Sequence, residues 1–303
     1  MTVLVTGVAG QLGFDVVNQL ASRGIETVGT DMRFEEELSR SAAWDRYVQL
    51  DLTDRDAVHR ALSATAPDAI IHCAAWTDVD RAEDPANQET VRRINVDGTG
   101  FLADEAKNLG CKFLYISTDY VFDGEGTAPK KPEDRDFAPQ NFYGQTKLEG
   151  EEIVSSRLEK YFIVRIAWAF GLNGKNFIRT MLNLAKTRDT VRVVSDQVGT
   201  PTYTADLSVL LADMIVTERY GVYHATNEGG YISWYDLACE VFRQAGIPMN
   251  VIPVTTEEYG ASVACRPFNS RLDKSNLTEA GFTPLPDWKN AVTRYLKQIG
   301  VIE

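Results

Sequence analysis

Tyr143 and Lys147 stand four residues apart in the run Tyr143-Gly-Gln-Thr-Lys147, the spacing that puts two side chains on one face of a helix. A phenol with an ordinary pKa of about 10 is a poor acid–base group at neutral pH, unless a nearby cation stabilises its anion. Lys147 is placed to supply that cation. Tyr-x-x-x-Lys also occurs as a surface pair or as packing, so its context matters. Here it follows Ser117-Thr118, the end of an apolar run that reads as a strand. The carboxyl edge of a parallel sheet is where ligands bind.

A second group lies at the start of the chain. Thr6-Gly7-Val8-Ala9-Gly10-Gln11-Leu12-Gly13 spaces its glycines G-x-x-G-x-x-G rather than G-x-G-x-x-G. Such a turn lets the backbone approach a pyrophosphate, and the following helix N-terminus offers N–H groups to the anion. A plain structural turn is the alternative on spacing alone; the position directly after the first strand favours a dinucleotide. Asp31 follows the next strand, where an acid binds a ribose 2′-hydroxyl, which favours NADH. Arg33, two residues on, could instead meet the 2′-phosphate of NADPH. Asp51-Leu52 suits the adenine end, and Asp51 could equally cap a helix.

These groups require elements to carry them. Strands are expected at Thr2–Thr6, Ile25–Thr30, Tyr47–Leu50, Asp68–Cys73, Lys112–Ser117 and Tyr161–Ala167. Helices are expected at Phe14–Arg23, Asp56–Ala64, Asn87–Asn108 and Tyr143–Ser156. Near-continuous apolar strands alternating with helices mean a parallel sheet covered on both faces. The fold class is therefore α/β, a Rossmann-type doubly wound parallel sheet. Beyond Ala167 the pattern loosens: strands at Val191–Ser195 and Tyr220–Ala225, a helix at Ser233–Gln244, and five prolines from Pro248 to Pro286. Residues 1–167 read as the cofactor-binding domain, rejoined by about 204–226. Residues 168–203 and 227–303 read mostly as a smaller, loop-rich C-terminal substrate domain.

Composition narrows the partners. Lys and Arg total 31 against 43 Asp and Glu, a formal charge of −12, which argues against nucleic acid or an anionic membrane surface. The apolar runs are interrupted by charge, at Arg165 and Asp213 for instance, so none is expected to span a bilayer. Four scattered cysteines and three scattered histidines give neither a zinc site nor a disulfide framework. The start Met1-Thr-Val-Leu-Val5 has no signal-peptide pattern, so the expected compartment is the cytoplasm. Asn276-Leu-Thr278 fits a glycosylation sequon but is not expected to be used there.

The glycine turn, the strand-end hydroxyl and the Tyr/Lys pair together resemble the extended short-chain dehydrogenase/reductase superfamily. Further pieces, HCAAWTDVDRAEDP, STDYVFDG, NFYGQTKLEGE, IAWAFG, SDQVGTPT, ISWYDLA and RPFNSRLD, make nearly the whole chain similar to the dTDP-4-dehydrorhamnose reductase family. The resemblance implies an NADH- or NADPH-dependent 4-ketoreductase acting on a nucleotide-diphosphate sugar. It implies that Thr118, Tyr143 and Lys147 are catalytic. Gly7, Gly10, Gln11, Leu12, Asp31, Arg33, Asp51, Leu52, Ala74, Ala75 and Thr77 would hold the cofactor, with Tyr143 and Lys147. Asp119, Tyr120, Trp168, Gln197 and Arg266 would face the sugar or its phosphates, with Pro201 in the same motifs. For Trp168 the alternative is a core aromatic. Asn95 matches a helix asparagine of the superfamily or is a helix-interior structural residue.

The rivals are also resemblances. Nucleotide-sugar dehydratases read Thr-Asp-Glu where this chain reads Thr118-Asp119-Tyr120, which disfavours water elimination. An epimerase, or a non-catalytic subunit like the regulatory subunit of methionine adenosyltransferase, would share the fold. Some relatives form dimers around Mg²⁺. Asp15 stands where they carry a glutamate, but a solvated first-turn acid is the preferred reading, no metal ligand is assigned, and a homodimer is left open.

Overall fold

The computed structural model describes residues 1–38 and 42–303. Its first half alternates strand and helix: β1 (Thr2–Thr6), α1 (Gln11–Ser22), β2 (Glu26–Asp31), β3 (Arg46–Gln49), α2 (Arg55–Thr65) and β4 (Ala69–His72). There follow α3 (Val79–Ala82), α4 (Pro85–Arg92), α5 (Gly98–Leu109), β5 (Lys112–Thr118), α6 (Phe142–Arg157) and β6 (Tyr161–Ile166). The expected strands and helices of this half are present with ends shifted by a few residues. One expectation changes. The single helix over Asn87–Asn108 is two helices joined by one wide turn, Arg93–Asp97, for a reason that lies in the site.

The second half contributes β7 (Ala169–Phe170), α7 (Phe177–Leu184), β8 (Thr190–Val194), β9 (Val198–Gly199), β10 (Thr202–Tyr203) and α8 (Thr204–Ile215). After β11 (Gly221–His224) come β12 (Ile232–Ser233), α9 (Trp234–Ala245), β13 (Asn250–Val254) and α10 (Thr256–Tyr259). β14 (Asn269–Ser270), α11 (Ser275–Glu279) and α12 (Trp288–Gln298) close the chain. The helices α7, α8 and α12 were not anticipated.

Seven strands form one parallel sheet in the order β11-β6-β5-β4-β1-β2-β3. The order reverses between β1 and β4, the crevice where such sheets bind ligands. One face is covered by α1 and α8, through Val16, Leu20, Leu211 and Ile215. The other is covered by α2 and α5, through Leu62, Leu102 and Ala106. A third apolar cluster joins Phe170, Leu237, Trp288 and Tyr295. It supports the strand pair β7–β10 and reaches β12 of the group β12-β9-β14, while a fourth cluster with Val191, Val193 and Phe242 supports the pair β8–β13. Among the described residues no helix is long and apolar enough to cross a membrane.

Candidate active site

The glycine turn leaves β1 at its carboxyl end, and two of its glycines are sterically required. Gly7 has φ +71°, and a Cβ there would sit 2.8 Å from the Ala74 backbone. A Cβ on Gly13 would run into the carbonyl of Gly7. Gly10 precedes α1 and brings no side chain to cap it, so the first-turn N–H groups remain free for an anion. This cradle fits a dinucleotide pyrophosphate. Asp31 faces it from β2: one carboxylate oxygen accepts the Ala9 N–H (3.0 Å) and the other the Arg33 N–H (3.3 Å).

Asp51 does not cap a helix. Its carboxylate accepts the Thr53 N–H, while Asp54 caps α2 through the Ala57 N–H, because the helix starts one turn later than Asp51. Arg93, which sequence reasoning missed, reaches the same end of the cleft and donates to the Thr53 hydroxyl at 3.2 Å.

Behind the turn runs a hydrogen-bond chain whose direction follows from its ends. The Ala74 N–H donates to Thr6 Oγ1 and the Thr99 hydroxyl to the Asn95 carbonyl. Thr6 Oγ1 therefore donates to His72 Nδ1 (2.8 Å), and His72 Nε2 donates to Thr99 Oγ1 (3.1 Å). Burial lowers the His72 pKa to about 3, with Lys147 adding to the effect, so the ring stays neutral. Asn95 does the remaining positioning. Its Oδ1 accepts the Trp76 N–H, and its Nδ2 donates to the Trp76 carbonyl and to Thr146 Oγ1. The wide turn at Arg93–Asp97 aims this amide, as such turns often do at functional sites. Asn95 thus ties the segment of Ala74, Ala75 and Thr77 to α6.

α6 carries Tyr143 and Lys147. Asn141 caps it by accepting the Gly144 N–H, and Glu83 accepts the Phe142 N–H. Gly144 lets the helix start press against Tyr120, whose carbonyl a Cβ would strike. The Tyr143 ring therefore stands edge-on to Tyr120, 5.7 Å between centroids. Burial raises the Tyr143 pKa, opposed by a hydrogen bond with Thr118 and reinforced by Asp119 and Tyr120.

Lys147 lies one turn further along α6. Its Nζ lies 3.9 Å from the Tyr115 ring centre, and burial lowers its pKa to about 7 against the pull of Glu151 and Cys73. The groups that act on the Tyr143 phenol are Thr118, Asp119 and Tyr120. The four-residue spacing shares a helix face, but the lysine's long stem carries its charge to another ring. Tyr143 consequently stays protonated at neutral pH, the form a proton donor needs.

Thr118 ends β5; its hydroxyl donates to Asp119 Oδ1 at 3.0 Å. Asp119 is buried, with its second carboxylate oxygen unpartnered. Burial raises its pKa to about 6, opposed by the neighbouring hydroxyls of Ser270 and Thr118. The folded state therefore holds this proton more tightly than the unfolded chain. The corresponding stability is complete below about pH 4 and is lost as pH rises through about 6. Asp119→Asn should gain roughly 3 kcal/mol over wild type at pH 8, a gap that closes near pH 3.5 in urea titrations. A gap independent of pH would sink this assignment.

Trp168 joins both readings given for it. It lines the cleft and also packs between two apolar clusters, stacked on Trp234 at 3.8 Å. Its φ of +51° is strained for a bulky residue, a conformation that persists only where the surrounding packing enforces it. Trp234, not anticipated, gains its place from the capped start of α9. Arg266 lies on the cleft wall, donating to Asp80 (2.7 Å), the Tyr120 hydroxyl (3.3 Å) and Ser262 (3.2 Å). Burial is also the largest influence on Tyr120, whose pKa rises to about 12 against the Arg266 charge.

Three further expectations fail. Gln197 is buried away from the cleft, donating to Thr256 Oγ1 at 3.0 Å, because β9 is held between β12 and β14. Pro201 is likewise outside the cleft, its carbonyl accepting the Asn227 N–H. Asp15 is not a solvated first-turn acid. α8 covers it, Thr204 Oγ1 donates to it, and burial raises its pKa to about 6. Gln11 spends its side chain on a strap: Oε1 accepts from Gly171 and Asn176, and Nε2 donates to the Lys175 carbonyl. The strap brings exposed Lys175 to the cleft lip. Its signal was a lysine directly after the turn Gly171–Gly174.

The other proposed site residues, from Gly7, Gly10 and Leu12 through Leu52, Ala75 and Thr77 to Thr118, Tyr143 and Trp168, line one cleft of about 930 Å³. It runs along the carboxyl ends of β1, β2, β4 and β5 and has room for a dinucleotide beside a second ligand. The chain is 39% identical to a Streptomyces griseus dTDP-4-dehydrorhamnose reductase over 96% of its own length and 91% of the relative's. A crystal structure of a Clostridium acetobutylicum dTDP-4-dehydrorhamnose reductase matches at TM-score 0.89, with 39% identity and 99% of each chain covered. The Bacillus anthracis enzyme of that name, solved in complex with NADP, matches at TM-score 0.87, with 36% identity over 98% of this chain and 99% of that one. The family model described as the RmlD substrate binding domain spans residues 1–301, and the chain belongs to that family.

Proposed function

We infer that the protein reduces the C4 keto group of dTDP-4-dehydro-6-deoxy-L-mannose (dTDP-4-keto-L-rhamnose), giving dTDP-L-rhamnose, with NADH or NADPH as reductant. The observation that carries this reading is the meeting of Thr118, Tyr143 and Lys147 on one wall of a cleft that also holds the glycine cradle. The reduced nicotinamide supplies a hydride to C4. Tyr143, kept protonated by burial, donates its proton to the C4 oxygen as charge develops there. Thr118 hydrogen-bonds the same oxygen, which stabilises that charge before the proton arrives. Lys147, one turn along α6 from Tyr143, would touch the nicotinamide ribose.

Where a dehydratase would carry a second acid, Tyr120 offers a hydroxyl bound to Arg266, so the cleft lacks the carboxylate for elimination at that position. We assign residues 1–167 with 204–226 to cofactor binding and the remainder mainly to the sugar nucleotide. Trp168 and Asp119 would meet the sugar, and Arg266 its diphosphate. The cytosol, where reduced nicotinamide and free thiols coexist, is the proposed compartment. Incubation with NADPH and dTDP-4-keto-L-rhamnose should consume cofactor and sugar one for one. A protein that binds NADPH yet oxidises none, and instead captures a methionine adenosyltransferase, would be a regulatory subunit and not this enzyme.

A further inference from the structure

Arg266 reaches the cleft from residues 260–268, a stretch with no helix or strand of its own. A side chain far away in sequence fixes it. Asp80, in α3, accepts the Val263 N–H (3.2 Å) and the Ala264 N–H (3.0 Å) on one oxygen. Its other oxygen takes the Arg266 guanidinium at 2.7 Å. The arginine's remaining nitrogens hold Ser262 and the Tyr120 hydroxyl, and the Tyr120 ring abuts Tyr143. One carboxylate thus orders a loop, orients a guanidinium fork and, through it, holds an aromatic wall of the site.

A half-exposed ion pair contributes little by itself. A loop already ordered when ligand arrives is different, because the ligand then spends none of its binding free energy on ordering it. The fork remains suited to a diphosphate, which arginine binds bidentately. We propose that Asp80 is a positioning residue for the anionic end of the substrate: it orders residues 262–266 and presents Arg266 to the diphosphate. The proposal rests on the reading of the substrate as a nucleotide-diphosphate sugar. It opposes the simpler view that Asp80 competes with phosphate for Arg266, under which its removal would tighten binding.

The experiment compares wild type, Asp80→Asn, Arg266→Gln and the double variant. Steady-state kinetics with NADPH and the 4-keto sugar are combined with calorimetric titration of free dTDP. Asp80→Asn should raise the sugar KM and the dTDP Kd by roughly tenfold or more. Its kcat should stay within about threefold of wild type and its NADPH affinity should be unchanged. Once Arg266 is glutamine, adding Asp80→Asn should cost less than about threefold, since the residue acts through the arginine. Asp80→Glu, which keeps the charge on a longer stem, should lie between and guards against misfolding of the first variant. Unchanged or tighter dTDP binding overturns the proposal. So does an equal loss in both backgrounds, or an equal loss of NADPH affinity. If wild type binds dTDP but reduces no keto sugar, the ketoreductase reading falls, while the dTDP titrations still decide the role of Asp80.

Discussion

Tyr143→Phe should lower kcat by roughly 10²–10⁴-fold, the range for removing a general acid, while NADPH affinity changes by less than about threefold. The asymmetry follows from where the hydroxyl sits. The Tyr143 ring is held by its contact with Tyr120 and by the capped start of α6, so phenylalanine fills the same space and the cleft keeps its shape. Only the proton is lost. Stopped-flow binding of NADPH beside single-turnover reduction separates the two effects. Equal losses in binding and turnover would mean that the hydroxyl organises the cofactor and does not donate to substrate. Because burial raises the Tyr143 pKa, wild-type turnover should show no alkaline fall attributable to this phenol below about pH 10.

Arg165→Met should destabilise the fold by roughly 3–5 kcal/mol, the cost of leaving a buried charge without its partner. Arg165 is 1% exposed and pairs through two nitrogens with Glu151, at 2.8 and 2.7 Å. Its guanidinium lies between the Phe122 and Phe137 rings, each 5.0 Å from the ring centre. His224 Nε2 accepts from it at 3.2 Å, and Ser117 donates to Glu151. Methionine fills the apolar slot but abandons the carboxylate. The double variant Arg165→Met/Glu151→Gln removes both charges and should recover most of the loss in chemical denaturation. A double variant as unstable as the single one would place the cost in packing and not in the orphaned charge. Glu151 lies one turn beyond Lys147 on α6 and raises its pKa, so this pair also borders the cleft wall.

Arg165 shows where sequence reading stops. In the chain it is one charge interrupting YFIVRIAWAF, enough to exclude a membrane span and no more. Its partner becomes visible only when β6 lies beside β5 and α6 packs behind them. The sheet itself was legible because its strands are buried on both faces and read as apolar runs. α8 was not, because it is covered on nearly every side and shows little of the polar–apolar alternation that marks a surface helix. α12 lay hidden among prolines that suggested only loops. Within the site, the glycine turn and the Thr118, Tyr143 and Lys147 trio were legible, since their chemistry is local in sequence. The true setting of Asp15, the offset of Arg266 by Asp80 and the removal of Gln197 from the cleft each depend on distant contacts. Motif matching identified Gln197 by type; only the pairing of β9 decides which way it faces.

The edge strand β11 has a consequence for how the chain is made. It pairs with β6 but is synthesised about 55 residues later, a delay of roughly 3–11 s at translation rates of 5–20 residues per second. Throughout that interval the nascent sheet ends at β6, with a row of unpaired N–H and C=O groups on an apolar strand. Such an edge pairs readily with a neighbouring chain. Ribosomes following one another along the same message would carry many such chains side by side, so this interval is when cotranslational aggregation should concentrate.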